Sequence, residues 1–161
     1  MTTKLLSLDT STTSSGWSIY TNGKLKDYGV VDLSKVKGTA KNKIPIMISE
    51  IEKIIEKHKP SIVVVELTVV SRNVQAQRNL TMLLGMIWHI CINKDIEFVD
   101  LRPTEWRSYV STEKKGRKRN ELKDWSIRKV EELFEIKSIS DDVSDAILIG
   151  YGYIKHCKEW S

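Results

Sequence analysis

The sequence has few of the residues that mark secreted, fibrous or membrane proteins. Cysteine occurs only twice, at Cys91 and Cys157, and proline three times. Because Cys91 lies in the apolar run MLLGMIWHICI, we expect a buried, reduced thiol rather than a disulfide framework. No run approaches the ~20 apolar residues of a membrane span, and the first apolar stretch is shorter than the core of a signal peptide. We therefore expect a cytoplasmic protein without a membrane partner.

What is present is the composition of an ordinary globular domain. The 161 residues are 40% hydrophobic and 29% charged, which excludes a disordered or collagen-like chain. The length suits one domain over residues 1–161 and is too short for two enzymatic domains joined by a linker. His89, His156 and Cys157 lack the spacing of a zinc site, so we expect no structural metal.

The positive charge is concentrated in one segment. The whole chain carries +5, whereas residues 107–129 contain nine basic and three acidic residues and alone carry +6. A neutral body with one basic segment is typical of a surface for a polyanion, most often nucleic acid, because localised charge focuses the electrostatic potential.

The hydrophobic pattern predicts a mixed sheet with helices on both faces. KLLSLD, GWSIY and KLKDYGVVDL read as strands, and Asn22-Gly23 between the last two predicts a tight hairpin. The β-branched run SIVVVEL predicts a buried central strand, and IEFVDL predicts a fifth strand. Helical spacing is found over residues 42–57, 71–92, 103–109, from about 122 to 134, and from Ser140 onward. The order β-β-β-α-β-α-β-α-α-α indicates an α/β fold.

Four acids stand where such a sheet would bring them together. Asp9 ends the first strand, Glu66 ends the central strand, and Asp142 and Asp145 lie three apart in the first turns of the last helix. Residues at that spacing face the same side of a helix. If the first and fourth strands are neighbours, all four carboxyl groups meet at one edge of the sheet.

A cluster of carboxylates requires cations to neutralise it, and oxygen ligands suit Mg²⁺, with Mn²⁺ as a substitute. Two such ions about 4 Å apart can activate a water and stabilise the leaving oxygen of a phosphodiester. Each acid also has an ordinary structural interpretation, such as a turn at Asp9 or a favourable charge at a helix N-terminus for Asp142. Glu66 fits this interpretation least well, because an acid after IVVV is costly to bury without a partner.

The segments LLSLDTSTTSSGWSIY, SIVVVELT, KRNELKDWSIRKVEELF and DDVSDAILIGY, in this order and spacing, resemble the RuvC family of Holliday-junction resolvases, and especially its phage members. The resemblance implies an RNase H-like fold with three antiparallel and two parallel strands, a homodimer, and metal-dependent nicks that leave 5′-phosphate and 3′-hydroxyl ends. It assigns metal binding to Asp9, Glu66, Asp142 and Asp145. It also places Arg107 and Lys123 near the scissile phosphate or the DNA backbone, with Lys123 among the catalytic residues.

One position departs from that family. Bacterial members commonly carry an aromatic residue three positions after the catalytic glutamate, whereas this chain has Val69. Activity on forks and flaps is therefore as consistent with the sequence as strict four-way selectivity. The resemblance places the enzyme in recombination, replication-fork or phage DNA processing, in the cytoplasm of a bacterium or of a phage-infected host.

Basic and aromatic residues offer candidate DNA contacts. The apolar-free stretch STEKKGRKR predicts a solvated loop, and its cations become candidate phosphate contacts together with Arg72 and Arg107. Trp106 and Trp125 flank this loop, but packing is a better interpretation for them than base stacking, and Trp88 suits a core or dimer position. The loop cations are Lys114, Lys115, Arg117, Lys118 and Arg119.

Two other functions compete with a nuclease. A non-catalytic protein that binds branched DNA would keep the basic segment but would not need converging acids. An actin-like or sugar-kinase phosphotransferase would share the opening strands but would need a second domain, for which the length leaves no room. A homodimer follows from the substrate, since two strands of opposite polarity need two sites related by symmetry. The over-apolar segment 80–92 is the candidate interface.

Overall fold

The computed structural model describes residues 2–67, 72–137 and 139–157. Within them the chain forms five strands and five helices in the order predicted from the sequence. The strands are β1 (Lys4–Asp9), β2 (Ser14–Thr21), β3 (Lys24–Asp32), β4 (Ile62–Glu66) and β5 (Glu97–Leu101). The helices are α1 (Ala40–His58), α2 (Val74–Asn93), α3 (Pro103–Val110), α4 (Arg119–Phe134) and α5 (Asp141–His156).

The five strands form one mixed sheet with the order β3-β2-β1-β4-β5. β1, β2 and β3 pair antiparallel, while β4 lies parallel to β1 and β5 parallel to β4. The predicted hairpin is confirmed, because Asn22 and Gly23 both adopt the positive φ angles that a tight turn between twisted strands requires. The neighbouring positions of β1 and β4 bring the ends of both strands to one edge of the sheet.

Alternation along the strands separates two hydrophobic layers. Leu6 and Leu8 of β1 pack with α1 and α2 on one face, whereas Leu5 packs with α3, α4 and α5 on the other. Ser7 points to the α5 face as well, where its hydroxyl donates to the Ala146 carbonyl at 2.7 Å. Successive side chains of a strand point to opposite faces, so Asp9 follows Leu5 and Ser7 onto the α5 side.

α5 packs unusually close to the sheet. A side chain at Gly150 would come within 2.6 Å of the Ser7 hydroxyl and of the Tyr20 ring. The Tyr20 hydroxyl donates to the Ile147 carbonyl at 2.7 Å, so the buried phenol has a partner. Small residues and satisfied hydroxyl groups therefore let the backbone of α5 lie directly over the centre of the sheet.

The outer face of α2 differs from one sequence expectation. Trp88 is 55% exposed and stacks on Phe98 with ring centroids 6.2 Å apart, so it is not a core residue of this chain, and only the dimer interpretation remains. Exposed apolar side chains continue along this face at Met82, Met86 and Ile92. Cys91, on the opposite face, is buried and free as expected. No helix among the described residues is both long enough and apolar enough to cross a membrane.

Candidate active site

Two of the candidate acids lie side by side at the carboxyl edge of the sheet. Leu8 pairs with Val65 in the parallel register of β1 and β4, so Asp9 and Glu66 end the two neighbouring strands. Both side chains belong to the sheet face that α3, α4 and α5 cover, because each lies two residues after a side chain of that layer. The parallel pairing of β1 and β4 thus joins acids that are 57 positions apart in the sequence.

α5 supplies the other two acids. The Ser140 hydroxyl caps the helix by accepting from the Val143 N–H, so Asp142 and Asp145 lie in the first two turns. Gly16, the β2 residue opposite Asp9, fixes how close this end of the helix comes to the sheet. A Cβ at Gly16 would lie 2.0 Å from the Asp142 carbonyl oxygen, which leaves space for glycine alone.

Burial and mutual repulsion perturb the acids at this edge of the sheet. Burial raises the pKa of Asp9 well above its usual value, and the negative charges of Asp145, Glu66 and Asp142 raise this pKa further. Burial also raises the pKa of Glu66, against the opposing effects of a hydrogen bond from Trp106 and of the Arg107 charge. Together with Asp141, which has the same but smaller effect, four carboxyl groups therefore act on the Asp9 side chain.

The pKa of Asp145 is perturbed in the same direction as that of Asp9. Burial and the negative charge of Glu66 raise its pKa to about 7, although the Ser126 hydroxyl and the Arg107 guanidinium favour the ionised form. Its buried Oδ1 atom has no hydrogen-bond partner among the described residues. A buried oxygen without a partner is costly, and coordination of a cation would remove that cost.

Hydrogen bonds orient the remaining two carboxylates. The indole Nε1 of Trp106 donates to Glu66 Oε2 at 2.6 Å, and the Ser14 hydroxyl donates to Asp142 Oδ2 at 2.7 Å. Trp106 is completely buried, so the expectation of packing rather than base stacking is confirmed for this ring, and for Trp125 as well. Sequence reasoning did not identify the contact with Glu66, because it depends on where α3 packs.

Two basic side chains stand beside the acids. The Lys123 ammonium is 2.6 Å from Asp141 Oδ2, next to Asp142 at the start of α5. The Arg107 guanidinium lies over the Trp106 ring at 4.7 Å from its centroid and is near enough to Glu66 and Asp145 to lower both pKa values. The structure thus places Arg107 near Glu66 and Asp145, and Lys123 against Asp141 at the start of α5.

The basic loop, residues 111–119, is more ordered than a solvated charged run would be. Lys114, Arg117, Lys118 and Arg119 are exposed, as expected. Lys115 differs from the expectation of a free cation: it is partly buried, its ammonium donates to the Ser111 and Glu113 carbonyls, and it lies 5.2 Å from the centroid of Trp125.

Two other candidate positions lie apart from this cluster. Arg72 is exposed just before α2, beyond the end of β4. Val69, where the family pattern has an aromatic residue, lies outside the described residues. Its effect on junction selectivity therefore stays a sequence-based prediction.

The donor set fits a hard divalent cation. Its members are carboxylates at one edge of the sheet, and the buried Oδ1 of Asp145 has no hydrogen-bond partner in the described part of the chain. They do not form a closed cage, since no three Asp, Glu, His or Cys side chains among residues 2–67, 72–137 and 139–157 are grouped closely enough to hold a metal ion. A mixed sheet of this topology, with acids from β1, β4 and α5 at one edge, defines a nuclease of the RNase H-like class.

Comparison with known proteins identifies the family. The family model of crossover junction endodeoxyribonuclease RuvC matches residues 5–153. The chain therefore belongs to the RuvC family, and the protein is an endodeoxyribonuclease of DNA junctions rather than a binding scaffold or a phosphotransferase. Nucleases of this family depend on metal ions. A search of curated protein sequences finds no relative.

Solved structures agree on the fold. Thermus thermophilus RuvC in complex with a Holliday junction substrate superposes with a TM-score of 0.77 at 13% identity, over 98% of this chain and 96% of that one. The yeast mitochondrial Holliday junction resolvase gives 0.68 at 14% identity, over 95% and 79%. The fowlpox virus resolvase in complex with Holliday junction DNA gives 0.65 at 17% identity, over 96% and 99%. The predicted RNase H-like fold is confirmed.

Proposed function

We propose that the protein is a homodimeric, Mg²⁺-dependent endonuclease that nicks Holliday junctions and other branched DNA, with Asp9, Glu66, Asp142 and Asp145 as the metal ligands. The observation that carries this proposal is the convergence of these acids from three elements: burial raises the pKa values of Asp9 and Asp145, and the charges of neighbouring acids raise them further. Such a grouping of negative charge destabilises a protein unless it serves to bind cations.

Two Mg²⁺ ions in this cleft, or Mn²⁺ in their place, would activate a water for attack on the phosphorus and stabilise the leaving 3′-oxygen. The chain's own residues prepare the site for this chemistry. Trp106 fixes one oxygen of Glu66 and Ser14 fixes one oxygen of Asp142, and the second oxygen of each would serve as a ligand. Cleavage of the bond to the 3′-oxygen gives the 5′-phosphate and 3′-hydroxyl ends that nicked DNA needs for religation.

Two basic side chains beside the acids, Lys123 and Arg107, would contact the substrate phosphate. Asp141 holds the Lys123 ammonium at the N-terminal end of α5, and the Trp106 ring supports the Arg107 guanidinium. A phosphate bound between them would be positioned by one flexible and one planar cationic group. We assign Arg107 to DNA binding and Lys123 to both binding and stabilisation of charge on the scissile phosphate.

The exposed cations of the basic loop would extend this contact along the DNA backbone. Lys114, Arg117, Lys118 and Arg119 offer solvent-facing charges in the loop between α3 and α4 and at the start of α4, and Arg72 offers another before α2. Lys115 is the exception, because its ammonium already bonds main-chain carbonyls; it reaches DNA only as part of the loop.

The outer face of α2 is the proposed dimer interface. Met82, Met86, Trp88 and Ile92 expose apolar surface along this helix. A Cβ added to Gly85, on the same face, would meet nothing within 4 Å, so a partner can approach the helix backbone there. Two copies related by a two-fold axis would present two cleavage sites to strands of opposite polarity. The substrate would be the DNA of a bacterium or of its phage, so the enzyme would cleave it in the cytoplasm.

Cleavage by metal-ligand variants tests the proposal. We expect Asp9→Asn and Glu66→Gln to lose cleavage of a labelled four-way junction by roughly a thousandfold while they retain junction binding. Asp124→Asn, an exposed aspartate on α4, is the matched control and should cleave normally. Mg²⁺ titration with four-way, three-way, flap and linear substrates measures metal need and selectivity together. Full activity of either ligand variant would overturn the metal assignment.

A further inference from the structure

One acid stands inside the basic loop and makes specific contacts. Glu113 is the only acidic residue among residues 111–119. Its Oε1 accepts from the indole Nε1 of Trp125 at 2.6 Å, and its Oε2 lies 3.4 Å from the Lys129 ammonium. Trp125 and Lys129 are both buried on α4, so Glu113 joins the middle of the loop to the core of the domain.

Further contacts fix the loop on either side of Glu113. The Lys115 ammonium donates to the Ser111 and Glu113 carbonyls and covers the outer face of Trp125. At the far end, Glu121 Oε2 accepts from the N–H groups of Arg117 and Lys118 at 2.8 and 2.9 Å. Carboxylates therefore hold the loop at Glu113 and at its C-terminal end, although the loop contains no apolar side chain that could pack.

We propose that Glu113 is a positioning residue that holds the basic loop in the one shape in which its exposed cations match the phosphates of branched DNA. The inference rests on the proposed function of the loop in DNA binding. An ordered array of charges binds a defined arrangement of phosphates with less loss of conformational entropy than a flexible array. A flexible loop with the same charges would bind any DNA through counterion release.

Removing the charge of Glu113 distinguishes two explanations of the loop, because they predict opposite changes in junction affinity. Removing a carboxylate from the DNA-binding surface raises the local charge by one, so a loop that acts through charge alone should bind all DNA more tightly. A loop that needs Glu113 for its shape should bind junctions more weakly in spite of the added charge. Glu132 is the matched control: it also pairs with Lys129, at 3.1 Å, but lies on α4 outside the loop.

We expect Glu113→Ala to raise the junction Kd about fivefold to tenfold, to raise KM in parallel, and to leave kcat at saturating junction within about twofold. Linear duplex should bind as well as before or more tightly, so selectivity for the junction falls. Glu132→Ala should stay within about twofold of the wild type on both substrates. Trp125→Phe, which keeps an aromatic side chain but replaces the indole and its N–H donor by a smaller phenyl ring, should also weaken junction binding. Equal or tighter junction binding by Glu113→Ala would overturn the proposal.

Limited trypsin digestion of the DNA-free protein tests the loop independently of any nuclease activity. The loop contains five trypsin sites, and a released loop is cut faster. We expect Glu113→Ala to be cut there about tenfold faster than the wild type and Glu132→Ala at the wild-type rate. Equal rates for Glu113→Ala and the wild type would overturn the positioning role. If the wild type itself failed to bind junctions, the proposed function would fail while the digestion result still stood.

Discussion

Neutralising Asp145 should stabilise the metal-free enzyme, although the residue is proposed as a metal ligand. Burial and Glu66 raise the pKa of this carboxyl from an ordinary value of 3.8 to about 7. A carboxyl whose pKa is raised in the folded state holds its proton more tightly there than in the unfolded chain. Its contribution to stability is therefore full below about pH 4 and is lost as the pH rises towards 7. Asp145→Asn removes this loss because its side chain does not ionise.

The size of this effect on stability follows from the difference between the two pKa values. One pKa unit corresponds to 1.36 kcal/mol, so the change from 3.8 to about 7 costs on the order of 4 kcal/mol above pH 7. Solvent at the partly exposed edge of the side chain screens some of this cost. Part of this cost is already present at pH 5. We expect the stability advantage of Asp145→Asn over the wild type to grow by about 2 kcal/mol between roughly pH 5 and pH 8.

Urea unfolding in the presence of EDTA measures this difference directly. Asp124→Asn is the control. It removes an exposed carboxylate on α4, so its stability shows the effect of the lost negative charge alone. Added Mg²⁺ should then raise the unfolding midpoint of the wild type and have a smaller effect on Asp145→Asn, because a ligand stabilises the state that binds it. The reasoning is refuted if Asp145→Asn is the less stable protein at pH 8, or if the gap does not change with pH.

Three further predictions concern other parts of the molecule. Replacing Arg117 and Lys118 by Gln should weaken the salt dependence of DNA binding. The slope of log K for DNA binding against log salt concentration should become shallower by about 2, because each lost phosphate contact removes ~0.9. An unchanged slope would take these residues out of the interface. Met86→Asp should convert the dimer to a monomer in light scattering, whereas Val30→Asp, an equally exposed apolar position on β3, should not; a dimeric Met86→Asp would place the interface elsewhere. Gly16→Ala should destabilise the fold by about 3 kcal/mol in urea, because its Cβ has no room beneath the start of α5, and a neutral result would contradict that packing.

Much of the fold could be predicted because local patterns and global structure agree. The hairpin at Asn22-Gly23 depends on positive φ angles that only a few residues tolerate, and the run ending in Glu66 is apolar on both faces because helices cover both. The prediction that the last helix starts near Ser140 is confirmed, and the Ser140 hydroxyl caps α5. The positions of Asp9 and Glu66 then followed from the pairing of the first and fourth strands.

The rest depended on packing that no local pattern encodes. Nothing in the sequence around Trp106 indicates that its N–H reaches Glu66, because the contact requires α3 to lie across the end of β4. The inward turn of Lys115 has the same origin: a lysine among four other cations carries no sequence signal that distinguishes it. Glu113 was detectable in principle as the lone acid in a basic run, but its partner on α4 was not.

The contact between Gly16 and the start of α5 has a consequence for biosynthesis. Asp9 in β1 precedes Asp142 and Asp145 in α5 along the chain, so the ribosome releases β1 well before α5. No nascent intermediate can assemble the full set of acids before that element has left the exit tunnel and docked beneath the β2 glycine. The capacity to cut DNA therefore appears only after α5 has been synthesised and has packed on the sheet.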